Sequence, residues 1–163
     1  MKTMRLLCAM LMLSATTSVA LADGEIALRN QVQKVEYFTN EDGVTESRLI
    51  EPASVVPGDE LRYTIFFENQ SEDVVVDEGS VVITNPIPTQ VVYLEDSANG
   101  SGTTITYSAD GGETFGEPDD LVVETADGER LAEPEEYTHI RWVFEPALEP
   151  GEQGSVFFRA RLR

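Results

Sequence analysis

Hydrophobic and polar positions alternate most regularly in the last part of the chain. In YTHIRWVF, the residues Thr138, Ile140, Trp142 and Phe144 alternate with Tyr137, His139, Arg141 and Val143. This period of two is that of a half-buried strand with Ile140, Trp142 and Phe144 turned inward. After the Pro/Gly-rich turn EPALEPGEQG, Val156, Phe158, Ala160 and Leu162 alternate with Phe157, Arg159, Arg161 and Arg163. The pattern predicts two long strands, and the rest of the chain must supply the sheets that cover them.

The preceding segments repeat this grammar in shorter pieces. EIALRNQVQKVEYF, Glu25 to Phe38, is β-prone, but its apolar residues Ile26, Leu28, Val32, Val35 and Tyr37 change parity along the run, which predicts a bulge or register change. Asn40 to Gly43 forms a turn into the short strand VTESRLI. Leu61, Tyr63, Ile65 and Phe67 share one face of the next strand. VVITNP, VVYL, TTITYS and LVVE follow, separated by Pro, Gly, Asn and Asp. In the polar stretch TADGERLAEPEE, Leu131 is the expected anchor. Short strands with turn signals between them predict an all-β fold, a sandwich or barrel.

The first residues carry a different signal. Lys2 and Arg5 precede the apolar run Leu6 to Leu13, and Ala20-Leu21-Ala22 offers small residues before Asp23, as in a cleaved signal peptide. Cys8 falls inside the apolar run with Leu6 and Leu7 before it, which makes it a poor lipid acceptor. The expected organisation is a signal peptide over residues 1–22, an N-terminal strand region over 23–54 and a sandwich over 55–163. Cleavage would leave a chain of 141 residues without cysteine, so no disulfide would hold it. No later apolar stretch is long enough for a transmembrane anchor. The expected destination is the periplasm, the cell surface or the exterior.

Charge narrows the partners. The formal net charge is −19, and loss of Lys2 and Arg5 makes it −21. Such a field disfavours nucleic acid and anionic lipid, and it keeps an exported protein soluble.

The inventory for catalysis is thin: beyond residue 22 there is one histidine, His139, and one lysine, Lys34. No nucleophile elbow occurs, and paired carboxylates in so acidic a chain nominate no glycosidase. The reading is a protein that is not an enzyme and needs no cofactor. Ser108-Ala109-Asp110-Gly111-Gly112-Glu113-Thr114-Phe115 fits the S-x-D-x-G-x-T-F pattern of an Asp-box hairpin, in which the aspartate closes a tight turn. Asp110, Glu113, Asp119 and Asp120, with Asp73, Asp77, Glu78 and Glu117, are oxygen ligands that loops could offer to calcium, although none forms an EF-hand loop; solvated acidic loops are the simpler reading. A lysine–asparagine isopeptide crosslink would have to use Lys34. Arg159, Arg161 and Arg163 form a basic stripe, open to cross-strand pairing with carboxylates or to contact with the acidic face of another copy.

VPGDELRYTIFFENQ, VVITNPIPTQVVYL, TYSADGGETF and YTHIRWVFEPALEPGEQGSVFFRARLR, in that order, resemble the domain of unknown function 11 family, the conserved repeat domain of bacterial and archaeal envelope proteins. The resemblance implies an immunoglobulin-like antiparallel β-sandwich serving as a spacer, stalk or assembly module, with no catalytic residues to carry over. Family members often hold tandem copies, whereas this chain has one copy and an N-terminal strand region of its own. Three functional readings follow. The first is an exported, non-catalytic structural or interaction module of the bacterial cell envelope, with other envelope or surface proteins, or itself, as partner. The second is a surface-fibre subunit that polymerises by donating its N-terminal strand. The third is a calcium-dependent glycan-binding or hydrolytic protein.

Overall fold

The computed structural model describes residues 26–163 and the backbone of Ser18–Ala20. The expected signal-peptide features, Cys8 included, lie outside the described residues except for that short strand.

The chain is all-β and antiparallel. Its strands are β1 (Ser18–Ala20), β2 (Ile26–Thr39), β3 (Thr45–Ile50), β4 (Glu60–Asn69), β5 (Val81–Pro86), β6 (Val91–Tyr93), β7 (Asn99–Gly100), β8 (Thr103–Ser108), β9 (Val122–Thr125), β10 (Gly128–Leu131), β11 (His139–Phe144) and β12 (Gln153–Leu162). One sheet runs β1-β5-β11-β8, and a larger one runs β3-β2-β4-β12-β6, with β7 also on β12. Strands β9 and β10 form a two-stranded hairpin of their own.

The two C-terminal alternating segments do not pair with each other. β11 lies between β5 and β8, whereas β12 lies between β4 and the β6 and β7 pieces, so residues 145–152 carry the chain from one sheet to the other. The crossover is pinned from inside by Asn69, which is fully buried and donates from Nδ2 to the carbonyls of Val74 at 2.8 Å and Leu148 at 2.9 Å. A buried amide whose hydrogens are both engaged ties three segments together without an unpaired polar group.

The core fills the space between the sheets. Trp142 stands between its register partners Ile83 and Ile105 on the smaller sheet, and its ring lies 6.3 Å from that of Phe158 on the larger one. Phe158 stacks on its cross-strand neighbour Tyr63 at 4.8 Å, and Phe67 meets Phe144 edge-on at 5.2 Å. Ile140, Trp142, Phe144, Val156, Phe158 and Ala160 are all inward, as their alternation predicts.

Four expectations are corrected. Tyr137 is buried against Tyr93 and Tyr107, because it follows a 3-10 turn at Pro134–Glu136 and precedes the strand, outside its alternation. Leu131 is 54% exposed and is not the anchor of its segment; Leu121 and Ala132, just outside the β9–β10 hairpin and joined by Ala132 N–H to Leu121 O, are buried. Gly154 is not turn but strand, where it lies beneath the ring of Phe67. β2 pairs through its length without a bulge, and its change of parity has another cause. Ile26, Leu28 and Val32 pack on the core while β2 runs beside β4; past Lys34 the strand pairs only with β3, and Val35 is buried from the opposite, outer side of the sheet.

Candidate functional site

That outer side of the larger sheet carries Arg29, Arg62 and Arg159. Alternation turns Leu61, Tyr63, Ile65 and Phe67 inward and therefore turns Arg62 and Phe66 outward on β4, as it does Phe157 and Arg159 on β12. Arg29 sits opposite Phe66 in register and lays its guanidinium 4.0 Å above that ring. Arg62 does the same over Phe157 at 3.7 Å. Such stacking holds a guanidinium flat without neutralising it.

Arg62 and Arg159 are direct cross-strand partners, so two like charges face each other across the β4–β12 ladder. Arg159 is compensated: its Nη1 donates to Glu60 at 2.9 Å, and Glu60 also accepts from the hydroxyl of Tyr37 at 2.8 Å. Arg62 has no carboxylate within ion-pair range among the described residues, and its buried Nε–H has no acceptor. Burial, and then the charge of Arg159, lower its pKa from the usual guanidinium value. The two arginines line a groove of about 430 Å³ together with Val35, Leu49, Phe157 and Ser97. Asp96 also lines it, held at φ +55°, a left-handed conformation that aspartate tolerates better than most residues.

Above the groove, β2 and β3 continue as a hairpin arm that overhangs the start of β4. Its side chains Tyr37, Phe38, Val44 and Leu49 are exposed, Tyr37 to 54%. Arg48 and Glu36 form an ion pair across the two strands, and Asn40 accepts from the backbone N–H groups of Asp42 and Val44 to close the tip. The arm therefore presents apolar surface on a backbone that is fully paired on one side.

The arginine stripe predicted on β12 is divided. Arg159 belongs to the groove, Arg161 is exposed opposite Glu60 and Val92, and Arg163, beyond the strand, bends back to donate to the carbonyl of Val91 at 3.3 Å. Arg62 was not singled out from the sequence. Alternation in LRYTIFF places it outward, but nothing local says that Arg159 lies beside it.

The Asp-box sequence folds as its pattern predicts. Asp110 accepts from Ser108 Oγ at 2.7 Å, from Thr114 Oγ1 at 2.6 Å, and from the N–H groups of Glu113 and Thr114 at 3.0 Å. These donors, Thr114 first, hold its carboxyl far below the usual carboxylate range. Gly111 and Gly112 have φ of +85° and +90°, and a side chain on Gly112 would press on the ring of His139. Phe115 lies under the guanidinium of Arg141 at 3.5 Å. His139 is half-buried, bonded to Thr138, and its pKa is lowered, chiefly by burial. Ser108, Asp110 and Thr114 are thus engaged in closing the turn, while Arg141 donates to Thr84 Oγ1 at 3.0 Å on the neighbouring strand.

The calcium candidates are scattered. The oxygens of Asp110 already serve protein donors, the Glu113 N–H among them, and Asp119 and Asp120 sit in a 3-10 turn at Pro118–Asp120. Among the described residues no three His, Cys, Asp or Glu side chains come together to hold a metal ion. Lys34 is ion-paired with Asp59 at 2.8 Å, not with an asparagine, and this contact is the first cause of a lowered Asp59 pKa. No helix among the described residues is long and apolar enough to cross a membrane. Compared with protein-family models, with curated proteins and with solved structures, the chain matches none of them.

Proposed function

We propose that this chain is an exported, non-catalytic interaction module of the bacterial cell envelope, built as an immunoglobulin-like sandwich. The observation that carries the reading is the β2–β3 arm with the groove at its base. Exposed Tyr37 and Leu49 lie on the groove side of the arm, beside the stacked Arg62–Phe157 pair, and Phe38 and Val44 are exposed elsewhere on it, on an otherwise acidic molecule. Aromatic residues and arginine are the types enriched where proteins meet. β2 lies between β3 and β4 in its own sheet, which favours contact through this face over donation of the N-terminal strand.

The test is expression of the tagged full chain in a bacterial host, followed by fractionation, N-terminal mass analysis and crosslinking in intact cells. The expected product begins at Asp23, lies outside the cytoplasm and gives crosslinked species that disappear when Tyr37, Phe38, Val44 and Leu49 are all replaced by serine. An intact leader on a cytoplasmic product, or crosslinks indifferent to those four residues, would overturn the reading.

A further inference from the structure

The β9–β10 hairpin supplies a shape and charge that match the groove. Its register pairs Val122 with Leu131 and Glu124 with Glu129. Residues two apart on a strand share a face, so these four side chains form one outward surface, an apolar pair followed by a carboxylate pair. Val122 and Leu131 are 51% and 54% exposed, and both glutamates are exposed. Val123, on the other face, packs against the core, and Arg130 there is held by Glu136 through bonds of 2.6 and 2.8 Å. The hairpin's own cation is thus already neutralised. Glu124 and Glu129 face each other as like charges with no ion pair among the described residues, an arrangement that disfavours the isolated hairpin.

The groove is the converse. It offers Val35, Leu49 and Phe157 as apolar wall and the facing pair Arg62 and Arg159 as charge, and no hairpin residue lines it within one copy. We propose that a second copy of this chain docks its β9–β10 hairpin there, with Glu124 and Glu129 against Arg62 and Arg159, and Val122 and Leu131 against the apolar wall. One contact relieves two like-charge pairs, one on each side. Glu60 and Asp96 keep the groove from being strongly positive, so the fit depends on Arg62, which has no ion-pair partner among the described residues. The two surfaces are different, so the contact is head-to-tail and builds chains or rings. This rests on the reading of the outer face as a contact surface, and adds that the partner is the chain itself.

The experiment is sedimentation of the protein purified after expression of the full chain, at about 0.15 M salt, where the Debye length of about 8 Å screens the mutual repulsion of two acidic copies. Wild type is expected to grow in mass with concentration below about 1 mM. E124Q/E129Q and R62Q/R159Q should each stay monomeric, and their equimolar mixture should stop at a dimer, because only one intact hairpin and one intact groove remain per pair. Circular dichroism melts establish that each variant is folded; should R62Q/R159Q unfold, Leu49→Glu on the edge strand blocks the groove without touching the core. A wild type that stays monomeric, an association that survives in either variant, or a mixture that stays monomeric would overturn the proposal. A monomeric wild type with arm-dependent crosslinks to another protein would remove the second copy and leave the interaction module standing.

Discussion

Replacing Gly154 by alanine sets backbone preference against packing, and the two give opposite signs. In a strand interior, glycine is normally the poorer residue by about 0.5–1 kcal/mol, so preference alone says that Gly154→Ala stabilises. The structure says otherwise. A Cβ at Gly154 would stand 2.2 Å from Cζ, 2.6 Å from Cε2 and 2.8 Å from Cε1 of Phe67. Carbon atoms prefer separations of about 3.5–4.0 Å, so the ring must retreat by roughly 1 Å or more. Phe67 has nowhere to go: it is 1% exposed, and its ring is met edge-on by Phe144 at 5.2 Å. Overpacking of this kind costs about 1–3 kcal/mol. The net expectation is a loss of about 1–2 kcal/mol, roughly 3–6 °C in melting temperature for a chain of this size. Thermal unfolding followed by circular dichroism, with denaturant titration as a second measure, reads it. Phe67→Leu removes the obstructing ring atoms, so in the double variant the added methyl should cost less than alone, by about 1 kcal/mol of coupling. A Gly154→Ala protein as stable as wild type, or strictly additive effects, would refute the close-packing argument.

Two further outcomes follow from individual side chains. Asp110→Ala should lower the melting temperature at neutral pH by a few degrees, because four donors of the turn lose their acceptor. The carboxyl's pKa is depressed in the folded state, so its contribution is present above the unfolded value of about 4 and fades as pH falls below it; the gap between variant and wild type in pH-dependent melts should narrow there, and a gap constant down to acid pH would contradict the assignment. Tyr63→Phe should be neutral or stabilising, since the buried Tyr63 hydroxyl has no partner among the described residues and its burial pushes the phenol up to about 12. A destabilisation beyond about 1 kcal/mol in the same melts would mean that the hydroxyl is bonded after all.

Much of this architecture was legible locally. Ile140, Trp142 and Phe144, and Val156, Phe158 and Ala160, announce their inward faces by period alone, and Ser108, Asp110 and Thr114 lie close enough in sequence to write their own turn. The readings that failed are those where exposure depends on a distant neighbour. Leu131 looks like an anchor because it is the one large apolar residue in a polar stretch, but its partner Val122 is itself outward, and the smaller Ala132 is the buried residue. Val35 and Tyr37 look like a bulge because their parity changes, whereas the strand is regular and it is the covering elements that change.

By itself the sequence determined that the chain is all-β, which residues of β4, β11 and β12 share a face, where the Asp110 turn closes, and that the molecule is acidic. These depend on interactions within about ten residues, where alternation and turn chemistry act directly. The tertiary structure alone decided that β11 and β12 lie in opposite sheets, that Arg159 faces Arg62, and that Val35, Leu49 and Phe157 wall a groove beside them. Period two assigns a side to every residue but no neighbour to any strand; sheet order and register assign the neighbours, and the core that rewards one order over another is assembled from segments far apart in the chain.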